Sequence, residues 1–298
     1  MAGLFRRSTD PNAPKSEGII LFLEIFFRKF WRLIQVNLMY IVALIPTTVL
    51  IFFLSGVISN AALDRFADGI MQISGVTTQD YSNADYSMTV VIIDVGLRMF
   101  ATICFTAFWG MGPATAGLTY IMRCYAKEEN SFIWTDFKDS IKENWKQSLV
   151  VFIIDVFAMF AFFYAIVFYS SLNNFMSYLT YVILGLALFY TMIHFFIYPL
   201  MVGYKLKLSQ IYKNAALFCL ISLPFSLLVL VILALLTFGV LYLALFVFSG
   251  VYTIICLAAY LIVVVFLLYS LIGLIVNYNA VCQINKYMDK DSKVEEKM

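Results

Sequence analysis

FIWTDFKDSIKENWKQSLVVFIIDVFAMFAFFYAIVFYS, residues 132–170, changes character halfway along. Its first part, 132–148, sets Lys138, Lys142 and Lys146 beside Trp134, Phe137, Ile141 and Trp145. Its second part, 149–170, carries a single ionisable carboxylate, Asp155, in an otherwise apolar run. About 20 apolar residues at 1.5 Å each cross a hydrocarbon core of about 30 Å. The second part therefore reads as a transmembrane helix, and the first as its boundary with water.

Composition extends that reading to the whole chain. Its 298 residues are 63% hydrophobic and 13% charged. A soluble domain is roughly 45–50% apolar and about 25% charged, so the charges here are too few to cover a globule. The expected fold class is all-α, a polytopic transmembrane helix bundle. Spans are expected at 33–58, 97–121, 149–170, 177–201, 218–247 and 251–278. From Ala215 to Asn277 no residue is charged, and that run has room for two long helices or three shorter ones. Pro224, Gly239 and Gly250 punctuate it, and all are tolerated inside membrane helices.

Charge asymmetry selects six spans. Arg6, Arg7, Lys15, Arg28, Lys29 and Arg32 precede the first span, and Arg123, Lys127, Lys138, Lys142 and Lys146 follow the second. Lys205, Lys207 and Lys213 follow the fourth, and Lys286, Lys290, Lys293 and Lys297 occupy the tail. The opposite face holds Arg65 and Arg98 with Asp64, Asp68, Asp80, Asp85 and Asp94. The positive-inside rule then predicts that both termini are cytoplasmic. Asp94 and Arg98, spaced i and i+4, suit an ion pair at the outer end of the second span.

The expected organisation follows. Residues 1–17 form a mobile cytoplasmic N-terminus, and 18–285 form one membrane domain followed by a cytoplasmic tail at 286–298. Within the membrane domain, 18–32 alternates apolar and basic residues as an interfacial helix does, 59–96 forms an acidic outer loop, and 132–148 forms a cytoplasmic amphipathic helix. Glu24, Arg28, Lys29 and Arg32 interrupt the first apolar stretch, which argues against a cleaved signal. None of the five cysteines falls in the outer loop, so no disulfide framework is expected, and there is no CxxC pair.

No phosphate loop, HExxH, GxSxG or GxGxxG occurs, and the chain has one histidine. We therefore expect no enzyme activity, no catalytic residue, no metal and no cofactor. The expected partner is the lipid bilayer, with no nucleic acid.

Three places break the apolar pattern. Asp155 and His194 each lie about 10 Å in from the cytoplasmic ends of adjacent spans, at 1.5 Å per residue. A carboxylate at that depth is costly unless it faces protein, water or a partner. It serves either as a hydrogen bond between two helices, with Tyr190 and Tyr198 also in reach, or as part of a polar path. WGMGPATAGLTY, residues 109–120, holds Gly110, Gly112, Pro113 and Gly117, a pattern for close helix packing or for an unwound, ligand-facing break. On a helical wheel of about 100° per residue, Trp134, Phe137, Ile141 and Trp145 fall in an arc of about 80°. Lys138, Lys142 and Lys146 flank that arc, which fits a helix in the headgroup region or a docking helix for a cytoplasmic partner.

MGPATAGLTYIMRCYAKEENSFIWTDFKDSIKENWKQSL resembles the hallmark of the YesL family of bacterial integral membrane proteins, a domain of unknown function. The matching positions are Gly112, Pro113, Tyr120, Asp136, Phe137, Lys142, Asn144, Trp145, Lys146 and Gln147. Asn37 and Pro46 match in the opening span, and Pro199, Lys213, Asn214 and Pro224 match around a later cytoplasmic turn. The long outer segment 59–96 departs from the family pattern. The resemblance implies a multi-pass protein of the bacterial cytoplasmic membrane associated with carbohydrate ABC importers, and supplies no catalytic residues. A permease, its ATPase or its binding protein would be the partner, met through Trp134, Phe137, Lys138, Lys142, Asn144, Trp145 and Lys146 and through 203–216. The competing expectation is a stand-alone transporter or channel with a polar path near Asp155, His194 and Gly110–Gly117.

Overall fold

The computed structural model describes residues 18–74, 94–95, 98–99, 101–103, 105–110, 112–172, 174–239, 242–243 and 251–295. The described residues are helical with short connections and contain no strand. We number the helices α1 (Ile19–Ser74), α2 (Pro113–Ala126), α3 (Ile133–Ser170), α4 (Leu179–Gly203), α5 (Leu208–Ile221), α6 (Leu223–Ala234), α7 (Val251–Val263) and α8 (Tyr269–Glu295). Four stretches among these residues are long and apolar enough to cross a membrane: Ile19–Val57, Ile133–Ser170, Phe175–Gly203 and Ile255–Lys286. The pair Leu208–Ile221 and Leu223–Gly239, bent by 94°, supplies a fifth if counted as one broken span. Large apolar side chains on these stretches stay uncovered by protein, among them Phe157 at 71%, Val182 at 57% and Leu186 at 54% exposed. A face of that kind is stable where the solvent is lipid, because no water has to be ordered against it.

The middle of the bundle is α2, packed against α1, α3, α4 and α8. Ten of its fourteen residues are buried, including Ala114, Ala116, Gly117 and Leu118. Small residues make that central position accessible. A Cβ placed on Gly117 would stand 2.8 Å from Phe137 Cδ2, so only hydrogen lets α3 lie this close.

Four local features depart from the sequence expectations. Residues 18–32 and the first span share one uninterrupted helix that continues through 59–74, so the interfacial helix is continuous with the span and the outer loop is helical in its first part. No glycine pair or turn residue separates them, and Pro46 lies within the helix. Segment 132–148 is likewise the N-terminal part of α3. The second expected span, 97–121, is interrupted at Gly110 and Gly112, whose φ angles of 74° and 60° are left-handed and end one helix before α2 begins at Pro113. The fifth expected span starts at Leu223, because the chain turns at Ser222 and Pro224 occupies the first turn of α6, where a missing N–H costs nothing. The tail is helical as far as Glu295. Residues 1–17, 75–93 and Cys104 lie outside the described residues.

A π-helical turn, Val264–Leu268, joins α7 to α8. Such a turn strands backbone groups, and in lipid each must be satisfied within the protein. Asn37 of α1, fully buried, does this. Its Nδ2 donates to Val264 O at 3.1 Å and Val265 O at 2.7 Å, and its Oδ1 accepts from Ser270 N at 2.8 Å. The first and last membrane helices are thereby tied together by one side chain.

Candidate functional site

Two polar places are built into the bundle. The first joins α3 to α4. Asp155 is 0% exposed; Tyr190 Oη donates to its Oδ1 at 2.6 Å, and His194 Nε2 lies 3.0 Å from its Oδ2. The two contacts take one oxygen of the carboxyl group each. The His194 and Tyr198 rings meet edge to face at 5.3 Å, and Tyr198 Oη in turn accepts from Gly112 N at 3.1 Å. The broken segment and the buried carboxylate are thus connected through two side chains of α4. Trp109 Nε1 donates to Thr191 Oγ1 at 2.9 Å, and fixes the other side of the break to the same helix.

The second place is a cavity of about 60 Å³ beside that break. Gly110, Thr106 and Thr115 line it from the broken span, Tyr40 from α1, and His194 and Tyr198 from α4. Tyr269 and Asn277 close it from α8. Tyr40 Oη pairs with Thr115 Oγ1 at 2.9 Å and Thr106 Oγ1 with Tyr269 Oη at 2.8 Å, so the wall hydroxyls are positioned in pairs. Gly110, where the first helix of the broken span ends, accordingly lines a cavity, while Gly117, on α2, serves close packing. Tyr40, Thr106, Tyr269 and Asn277 were not singled out by sequence; among 19 tyrosines and long apolar runs, one polar group per turn gives no periodic signal.

The N-terminal part of α3 presents a third, exposed feature. Phe132 is 78%, Trp134 69% and Trp145 48% exposed, with Lys138, Lys142 and Lys146 exposed beside them. Phe137 does not belong to this face: it is buried at 4% against Gly117. Asn144 is also turned inward, its Nδ2 donating to Ser140 O at 3.0 Å, while Ser140 Oγ donates to Ala116 O at 3.1 Å. The aromatic arc is split because α2 packs on the side of Phe137 and Ser140. Asp136 Oδ2 accepts from Phe132 N at 2.8 Å and caps the helix start. Gln147 Nε2 donates to Leu206 O at 3.1 Å, which brings the turn between α4 and α5 beside α3. Arg123 lies over the Tyr204 ring at 5.4 Å in the same region. Segment 132–148 and the turn at Leu206 therefore meet at Gln147. Asp94 and Arg98 pair at 2.8 Å, as their spacing predicts.

No group of three or more metal-ligating side chains occurs among the described residues. No curated protein and no solved structure matches the chain. A family described as "Protein of unknown function, DUF624" has a model that matches residues 95–166, the region that contains the broken span, α2, the exposed lysine-tryptophan face and Asp155.

Proposed function

We propose that the chain is a non-catalytic, six-span protein of the bacterial cytoplasmic membrane with both termini cytoplasmic, and that it serves as an accessory subunit or assembly factor of a carbohydrate ABC uptake system. One observation carries the docking role. Helix α3 runs for 38 residues, about 57 Å at 1.5 Å per residue, nearly twice the hydrocarbon thickness. Its apolar second part fills the membrane, so its first four turns extend the span into the basic, cytoplasmic side, with Trp134 and Trp145 uncovered. Trp134 and Trp145 supply uncovered aromatic anchors of the kind that protein-binding surfaces favour, with the lysines as a polar rim. The contact between Gln147 and Leu206 sets the turn within 203–216 beside that face. Six spans are supported by the basic residues, 18 of 20 of which fall on one side when both broken segments are counted as crossings.

Purification from native membranes in mild detergent, with mass-spectrometric identification, tests the proposal. A sugar permease, its ATPase or its binding protein in fixed ratio supports it, and a clean monomer refutes it. A second reading, a stand-alone transporter, draws on the break at Gly110–Pro113 beside the Asp155–His194 pair. Discontinuous helices of this kind form substrate sites in secondary transporters. Liposome flux that falls in Asp155→Asn would favour it.

A further inference from the structure

We propose that the cavity between the helix break, Tyr40, Tyr198, Tyr269 and Asn277 is a binding site for a small uncharged polyol, of the size of glycerol. Four observations support it. The first is volume: about 60 Å³ at roughly 10–15 Å³ per water leaves room for about four to six water-sized groups, near the six heavy atoms of a three-carbon polyol. The second is an unsatisfied acceptor. Asn277 is 1% exposed and lines the cavity; its Nδ2 donates to Gly273 O at 2.8 Å, and its Oδ1 has no hydrogen-bond partner among the described residues. A buried amide oxygen left empty is costly, so the site favours a bound molecule that brings a donor to it.

The third observation is the wall chemistry. Thr106 Oγ1 donates to Ile103 O, so Tyr269 Oη donates to Thr106, and Tyr40 with Thr115 forms the second hydroxyl pair on the wall. The aromatic rings of Tyr40 and Tyr269, 5.6 Å apart and edge to face, offer apolar surface to C–H groups. The fourth is charge. None of the described residues that line the cavity is acidic, and Asp155, behind His194, is already bonded by Tyr190 and His194, so the wall offers a ligand hydrogen bonds without a net charge to neutralise. That favours a neutral hydroxyl-bearing molecule over an ion. The site holds for either role of the chain, docking or transport, because its occupation is read at equilibrium without partner or flux.

Trp109 lines the same cavity, whereas Trp31, Trp134 and Trp145 are exposed at 76%, 69% and 48%. A protein with those three replaced by Phe makes Trp109 a sole reporter. Glycerol is titrated into it in detergent, against a disaccharide too large for the cavity at matched osmolality. The expected result is a saturating change in Trp109 emission with glycerol only, with the midpoint raised at least tenfold in Asn277→Leu and at least threefold in Tyr269→Phe, which keeps the ring. A response that is linear and equal for the two solutes means that the cavity holds water only, and overturns the proposal. Saturation unchanged in both variants, or in whichever of them folds, overturns it equally.

Discussion

Tyr190 Oη and Asp155 Oδ1 are 2.6 Å apart, deep in the bundle, and His194 completes the carboxylate from the next turn of the same helix. Both oxygens of a carboxyl group that lipid would reject are thus satisfied by α4. The contact joins two spans, and it stands one residue, Tyr198, away from the backbone break at Gly112. Leaving a buried polar group without its partner costs about 1–3 kcal/mol, and Tyr190 and His194 both lose theirs when the carboxyl group goes. Asp155→Leu is expected to lower stability by about that much in detergent unfolding. Asp155→Asn, which keeps one acceptor oxygen for Tyr190, is expected to lose less than half as much.

The close approach of α2 and α3 predicts a clash with a specific cure. Gly117→Ala puts a methyl 2.8 Å from the Phe137 ring, and overpacking of this kind costs about 1–3 kcal/mol. Phe137→Leu in the same chain is expected to recover part of that loss. A double-mutant cycle reads the coupling; strictly additive losses would show that the two residues do not meet.

Asn37 bridges α1 to the π-helical turn Val264–Leu268 through three hydrogen bonds. Asn37→Leu fills the same space but leaves two carbonyls and one N–H dry. At about 1 kcal/mol per bond, the expected loss is roughly 3 kcal/mol, measured as a lower midpoint of unfolding. Asn37→Asp sets an acidic oxygen against Val264 O and Val265 O in a fully buried place, and is expected to lose at least as much as Asn37→Leu.

Cysteine labelling reads orientation. Cys282 is exposed near the basic end of α8, whereas Cys219 is buried. A membrane-impermeant maleimide is expected to label Cys282 in inside-out vesicles and to spare it in right-side-out ones. Cys124, at the end of α2, behaves differently. Burial raises its thiol above the usual range, and Glu129 and Asp136 push it further in the same direction. Cys124 is buried where Cys282 is exposed, so its labelling is expected to lag behind Cys282, and to rise as the pH climbs through its raised value and the thiolate forms.

Much of this was legible in the residues. The run 149–170 announces its span because lipid imposes length and apolarity together, and the i, i+4 spacing of Asp94 and Arg98 announces their pair. Asp155 and His194 could be placed at similar depth because both positions count inward from basic ends. What stayed hidden depends on how one helix is covered by another. Phe137 and Trp134 look equivalent on a wheel, yet α2 buries the first and leaves the second exposed, because Gly117 sits opposite Phe137. The continuity of 18–32 with the first span was hidden for a related reason: charge marks where a helix leaves the membrane, and a helix that runs on unbroken carries the same marks as one that turns. The 94° bend at Ser222 follows a serine and a proline that are tolerated equally inside a straight membrane helix.

The docking face can be separated from the fold, since Trp134, Trp145, Lys138, Lys142 and Lys146 are all exposed. The most direct measurement compares wild type with a chain carrying Trp134→Ala, Trp145→Ala, Lys138→Glu, Lys142→Glu and Lys146→Glu, purified side by side from native membranes in mild detergent. We predict that the importer subunits recovered per chain fall at least tenfold while the unfolding midpoint stays within a few degrees. Importer subunits recovered equally with both proteins, or with neither, would contradict the account.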